Sequence, residues 1–490
     1  MGPCAKLPRK STFNTKEYPV SPEELSKISG IELAPSHEGR VVYRCIGCGE
    51  SFELENLLYT CPSCSSLLRI VDEKFDELKK RSGEEWRRVF DLRRSLDIDG
   101  LKGIFLFHEL ILPSVPLEDV VYLGEGHTPV IKANGELSEW LGEEFSIKND
   151  GQNPSASFKD RGMASAISFL NNYIKTKNPE QVLGICASTG DTSAAAALYL
   201  SHLPKDAVKS VVLLPKGKVT PQQLAQPLSS GATVVEIPGV FDDCMKIVEQ
   251  LAENYEVFLL NSKNPARICG QKSFAYETAQ QLGWDTKGLV VAVPIGNAGN
   301  VTAIMEGFID LKNLGVIEEL PLILGVQSHH ANPVAKWRDS GSYVPMTVEP
   351  SVAQAAMIGN PVSFPKVRGL VEDYFKDNFC AVTVTEQEIM DTMLHVNRHG
   401  HVVCTQGGEA VAGLKRALKE GRVPRGARYV TDSTSHQLKF AGFQDDYFAG
   451  KLEEGFGVRS REELINRPVG MEADAVRIAA GLGLKARAKG

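Results

Sequence analysis

From about residue 118 the chain alternates short, wholly apolar runs with segments whose apolar residues recur at helical spacing. VLGICAS (182–188) precedes TGDTSAAAALYLSHL, VKSVVLLPKG precedes TPQQLAQPLSSG, and ATVVEIPG precedes VFDDCMKIVEQLAENY. VFLLNS follows, LVVAVPIGN leads into AGNVTAIMEGFIDLKNLG, and LPLILGVQS comes next. A strand with one wet face alternates apolar and polar residues, whereas a strand covered on both faces reads as a continuous apolar run. The pattern therefore predicts an α/β fold with parallel-rich sheets between layers of helix. Ligands of such sheets sit beyond the carboxyl ends of the strands, and there this chain gathers Gly, Ser, Thr and Asn.

Upstream the pattern changes. Residues 1–40 are rich in Pro and Ser and predict an extended segment; residues 41–70 predict a small strand-rich module. Residues 75–115 carry helical periodicity, and within them RRVFDLRRSL predicts an amphipathic helix with its basic residues on a solvated face. No internal repeat is visible. At 490 residues the chain exceeds one compact core, so two large domains, or one with appendages, are expected.

Composition excludes more than it adds. The 42% hydrophobic and 23% charged residues are ordinary for a soluble globular protein. A net charge of -7 provides no positive field to collect phosphates, so no nucleic-acid partner is expected. No run of about 18 apolar residues predicts a membrane span. The start, MGPCAKLPRKSTFN, lacks the apolar core of a secretory signal, and Lys6 stands where a myristoylation motif needs Ser or Thr. Of ten cysteines four cluster and six scatter, the pattern of reduced thiols in a cytoplasmic protein.

Five stretches carry candidate chemistry. YRCIGCGESFELENLLYTCPSCSSLL places Cys45, Cys48, Cys61 and Cys64 as two CxxC knuckles twelve residues apart. Two knuckles aim four thiolates at one point, the donor set of a closed, structural tetrahedral zinc site; the alternative is a ribbon that keeps this shape without metal. In VAVPIGNAGNVTA (291–303), Gly296, Asn297, Ala298, Gly299 and Asn300 form a turn between strand and helix. Successive amides and a helix N-terminus favour a phosphate there, the alternative being an ordinary turn. The spacing is not GxGxxG, which disfavours a dinucleotide. In CASTGDTSAAAALY (186–199), residues Ser188 to Thr192 suit a carboxylate or second phosphate, or simply cap a helix. TDSTSHQLKF (431–440) offers the hydroxyls of Ser433, Thr434 and Ser435 to a ring nitrogen, with His436 as ligand or structural group. Finally, NPSASFKDRGM (153–163) sets one amine, Lys159, just before a helical run. With two anion nests elsewhere, it suggests a Schiff-base partner for an aldehyde cofactor held by its phosphate; the alternative is a solvated lysine.

GEGHTPV (124–130), NPSASFKDRGM, ASTGDTSAAAALY, NSKNPARICGQKSFAYE (261–277), VPIGNAGN and DSTSHQLKF, in this order, resemble the pyridoxal-phosphate-dependent threonine synthase family. SVAQAAMIGNPVS (351–363) and TEQEIMDTM resemble it too, so the likeness runs from about residue 118 to 447. The cysteine module is similar to the zinc-ribbon-like extension of some members. The resemblance implies the tryptophan-synthase-β-like fold, fold type II, with two three-layer αβα domains. The small domain would span 160–265, and the large one 118–159 and 266–450. A helical connector (71–117) would follow the ribbon, and a helical tail (451–490) would end the chain. It also implies a lyase that eliminates phosphate, with O-phospho-L-homoserine as small-molecule substrate, pyridoxal 5'-phosphate as cofactor, and a homodimer as the usual assembly.

Residue by residue, the resemblance makes Lys159 the Schiff-base lysine, Gly296 to Asn300 the phosphate cup and Thr434 the partner of the pyridine nitrogen. Ser188, Thr189 and Gly190 would receive the substrate carboxylate. Thr192, Asn261, Ser262 and Arg267 would form the substrate-phosphate pocket. Three departures stand out. Asp191 replaces an Asn of many relatives where the cofactor's phenolic oxygen is expected, and Ile295 replaces a glycine before the cup. The family's NPTGSFKD becomes NPSASFKD, read here as a mild change. Rival readings are a serine or threonine dehydratase, a β-replacement enzyme for O-phosphoserine, and a non-catalytic ribbon protein.

Overall fold

The computed structural model describes residues 26, 27, 30–188, 190–216, 221–238 and 241–487. Most of the N-terminal segment expected over 1–40 lies outside the described residues, as does Thr189.

Three sheets organise the molecule. The first is an antiparallel ribbon in the order β2-β1-β3, from β1 (Val41–Cys45), β2 (Ser51–Glu53) and β3 (Leu68–Asp72). The second has six strands in the order β12-β11-β10-β13-β5-β4. They are β4 (Val130–Lys132), β5 (Phe145–Asn149), β10 (Leu289–Pro294), β11 (Leu322–Ser328), β12 (Phe379–Val384) and β13 (Arg428–Ser433). All pair in parallel except β4, which runs antiparallel on β5 at the edge. The third is wholly parallel, β8-β7-β6-β9, built from β6 (Val182–Ala187), β7 (Val208–Pro215), β8 (Thr233–Ile237) and β9 (Val257–Leu259).

The apolar runs become strands for the reason their pattern gives. Every residue of β10 is buried, because helices cover both faces. β8 is the exception: its TVVEI is mostly exposed, as suits an edge strand with one neighbour. The Gly83–Ser95 helix starts on a capping box of Ser82 and Glu85. Arg88 and Arg94 lie on its solvated face as expected, but Arg93 does not. Arg93 is buried and grips Glu109 through two hydrogen bonds of 2.7 and 2.6 Å. The ribbon packs into the same apolar core as the large sheet, contributing Tyr43, Cys45, Cys61 and Leu68. Tyr59 fastens it to the third sheet: its hydroxyl donates to the Val257 carbonyl at 3.3 Å and accepts from the Leu259 amide at 2.8 Å.

Candidate active site

The Lys159–Lys177 helix begins where its chain crosses the carboxyl end of β13. The NPSASFK loop is pinned there by backbone: the Phe158 amide donates to the Thr434 carbonyl at 2.8 Å, and His436 donates to the Ala156 carbonyl at 3.0 Å. The His436 ring accepts from the Leu438 amide, so it caps a turn rather than serving as a ligand. Ala156 takes φ +63°, a left-handed conformation. The change from the family's glycine is therefore not mild, since a Cβ in that region costs about 1–2 kcal/mol.

Arg161, two residues beyond Lys159, anchors the helix. It pairs with Asp150 at 2.7 Å and Glu277 at 2.6 Å, and donates to Ser273 and Thr128. Lys148 joins Glu277 at 3.0 Å. Burial alone would raise the Glu277 carboxyl, but Arg161 and Lys148 outweigh it and hold it far below the usual range. The GEGHTPV stretch supports this frame, with Thr128 donating to Asp150 at 2.6 Å and the Gly126 amide to Asn153 at 3.0 Å.

Ahead of this anchor lies a cavity lined by Lys159, Asp191, Ser262, Arg267, Gly296 to Asn300 and Thr434. Burial, then the neighbouring Arg267 charge, push the Lys159 ammonium down to about 8, against the opposing pull of Asp191. Such an amine is a nucleophile near neutral pH. Arg267 is 3% exposed, and burial lowers it to about 10. Its guanidinium donates to the Leu260 carbonyl at 3.2 Å, Nε has no partner, and no carboxylate pairs with it among the described residues. A buried cation without a counter-ion fits an anionic ligand.

The second anion nest is the turn after β10. Ala298, at φ +62°, caps the Gly299–Asn313 helix, and Gly296 to Asn300 line the cavity at that helix N-terminus, a setting that favours an anion. A Cβ on Gly296 would lie 3.0 Å from both the Ala355 carbonyl oxygen and the Ala356 Cα, so a larger residue there would need that segment to give way by a few tenths of an ångström. The Ile295 amide is spent on the Val326 carbonyl at 2.8 Å, and the cup begins at Gly296. Thr434 is buried at the cavity wall. A buried nucleophilic amine, two separated anion sites and a neutral hydroxyl fit an aldehyde cofactor with a phosphate tail.

The model of the pyridoxal-phosphate dependent enzyme family matches residues 121–434. A threonine synthase of Methanocaldococcus jannaschii is 36% identical over 402 residues, covering 81% of this chain and 93% of its own. This chain belongs to the threonine synthase family. Chloroplastic threonine synthase 2 of Arabidopsis thaliana is 33% identical, covering 83% of this chain and 78% of its own. The fold matches the crystal structure of the Escherichia coli threonine synthase with a TM-score of 0.61, over 87% of this chain and 92% of the other, at 20% identity. It has the expected α/β architecture of fold type II.

Within this threonine synthase family member the expected site residues do not all converge. Lys159, Asp191, Ser262, Arg267, the cup and Thr434 share one cavity. Ser188, Gly190 and Thr192 are partly buried at the end of β6 and the start of the Asp191–Leu200 helix, outside that lining. Asn261 also stands outside it: its side chain donates to the Ala187 carbonyl at 2.6 Å and accepts from the Ala187 amide at 2.9 Å. It braces β6 instead of facing a ligand. Nothing in the sequence singles out Gln406, yet it lines the cavity at 4% exposure with neither amide atom hydrogen-bonded among the described residues. Ala355 and Ala356, from the SVAQAAM stretch, also line it.

In the ribbon, Cys45, Cys48, Cys61 and Cys64 bring their sulfurs within 4.8 Å of one another. Cys45 to Cys64 is 3.4 Å and Cys48 to Cys61 is 3.7 Å. Tetrahedral zinc with 2.3 Å bonds to sulfur would need spacings of about 3.8 Å, so the residues fit a zinc ion.

Proposed function

We propose that this chain converts O-phospho-L-homoserine and water to L-threonine and phosphate. The observation that carries the reading is Arg267, a buried guanidinium in the cavity of Lys159 with no carboxylate partner among the described residues. Its planar fork suits a phosphate dianion, which a dehydratase substrate lacks. Pyridoxal phosphate, when bound, supplies an electron sink for the pair left as a proton leaves the carbon bearing the amine. Lys159 would hold it covalently, Gly296 to Asn300 would cup its phosphate, and Thr434 would face its ring nitrogen.

The Lys159 Nζ, as a free amine, would take the α-proton of the substrate. Loss of a proton from the next carbon lets the γ-phosphate depart, and Arg267 with Ser262 stabilises the leaving dianion. One proton returns to the γ-carbon, making it a methyl. Water adds its hydroxyl at the β-carbon and gives its other proton to the phosphate, and a second proton returns to the α-carbon, so substrate and water balance threonine and phosphate. Ser188, Thr189 and Gly190 would orient the substrate carboxylate from the start of the Asp191–Leu200 helix. Asn261 serves indirectly, by holding the loop of Ser262 against β6. Phosphohomoserine and phosphoserine assayed side by side test this. Phosphate and threonine are expected from the first alone, and Lys159→Ala is expected to abolish both turnover and the cofactor's bound absorbance. Full turnover in Lys159→Ala would remove the nucleophile assigned here.

The ribbon is proposed to hold one structural zinc. Metal analysis of the purified chain is expected to return about one zinc per molecule, falling to none when Cys45 and Cys61 are replaced by Ser.

A further inference from the structure

Asp191 places a carboxylate in the same cavity as Lys159, where it draws the amine toward its protonated, unreactive form. The structure provides it with another partner. Lys439, from the short turn after β13, sets its Nζ 3.2 Å from Asp191 Oδ1. The pair is shielded, with side-chain exposures of 13% for Lys439 and 8% for Asp191. The same ammonium donates to the Ser155 carbonyl at 2.9 Å and to the Gln226 side chain. One cation thus joins the start of the Asp191–Leu200 helix, the Pro221–Ser229 helix and the loop leading into Lys159. Gln226 and Asp191 belong to the segment bearing the third sheet, whereas Ser155 and Lys439 flank the six-stranded one.

We propose that Lys439 is a positioning residue for Lys159: by taking up the Asp191 carboxylate it keeps that carboxylate from pairing with the reactive amine. The inference rests on Lys159 being the Schiff-base lysine. Other groups facing the amine are Arg267 from the Pro265–Gln271 helix and Cys186 from β6. Cys404 lies near Asp191, and Asp160 near Lys439 with Glu125 beside it. Among these the Asp191 carboxylate alone is an anion acting on Lys159 that a nearby cation offsets. The arrangement also gives the cavity wall an ion pair where Asp191 alone would bring an uncompensated negative charge. Lys439 supplies the missing neutrality.

The test is a pH titration of the bound cofactor's absorbance in the holoenzyme, which reports proton occupancy at Lys159 Nζ. In Lys439→Met the Asp191 charge is no longer offset, so the midpoint is expected to rise by about one pH unit. In Asp191→Asn the positive charge is left alone and the midpoint falls. The double variant returns to near the wild-type value, and Lys439→Arg retains it. A purely structural role for Lys439 would leave the Met variant's shift unrelieved by Asp191→Asn. That result, or an unmoved midpoint in Asp191→Asn, overturns the proposal. If Lys439→Met fails to fold, the Asp191→Asn and Lys439→Arg titrations decide alone. Borohydride trapping with mass analysis separates the two levels of the argument: a wild-type cofactor not attached to Lys159 would overturn the site reading itself.

Discussion

Single residues set the chemistry of this site by being denied their usual partners. Among the described residues Arg267 has no carboxylate partner and Gln406 has neither amide atom hydrogen-bonded, while Lys159 is held down to about 8 by burial and Arg267. An unpaired buried polar group costs about 1–3 kcal/mol, and natural interiors tolerate that where a ligand supplies the missing bonds. Gln406 therefore makes a prediction with opposite signs in two states. Gln406→Met, similar in volume and apolar, is expected to raise the unfolding free energy of the cofactor-free protein by about 1 kcal/mol or more. The same change is expected to weaken pyridoxal phosphate, because the carboxamide no longer meets it. Urea unfolding of the cofactor-free chain and a cofactor titration check the two halves. A variant that binds the cofactor as the parent does, with unchanged stability, would show that Gln406 plays no part.

At the level of elements, what could be read from the sequence follows from how far apart the cooperating residues lie. Each apolar run such as LVVAVP signals its strand by itself, because burial of both faces is written into every residue of β10. The turn at Gly296 to Asn300 is equally local, because strand, turn and helix start are consecutive in the chain. Gln406 is different. It sits at the start of the Thr405–Lys419 helix and reaches the cavity only because Cys404 packs against Thr434, thirty residues downstream, with their side-chain atoms 3.7 Å apart. Nothing in HQLKF marks Lys439; only the fold brings Asp191 within 3.2 Å of it. Asn261 errs the other way. The family resemblance puts it in a substrate-phosphate pocket, but both ends of its amide close on Ala187. Ala156 needed a dihedral angle, since the residue alone does not say that the loop turns through φ +63°.

Across the whole molecule, the start of the Lys159 helix rests on a charge cluster that binds distant stretches of chain. Arg161 and Lys148 meet Asp150 and Glu277, each with side-chain exposure of 1% or less. Thr128 brings in the GEGHTPV loop, and Glu277 brings in the Ser273–Gln281 helix. A fully buried ion cluster gains little over an apolar core of the same shape, yet removing one member strands the others at a cost of about 3–5 kcal/mol. Glu277 serves two cations, so Glu277→Gln should be costly, with the loss concentrated at the start of the Lys159 helix. The pH dependence has a definite sign. The folded protein holds the Glu277 carboxyl far below its unfolded value of about 4.3. Its contribution is therefore complete above that value and disappears as pH falls below it toward the folded one. Wild type and Glu277→Gln should differ most in urea midpoint at pH 7 and draw closer as the pH drops below about 4. A gap that stays constant from pH 7 to pH 3 would mean that Glu277 stabilises the fold through shape and hydrogen bonds alone, with its charge contributing nothing.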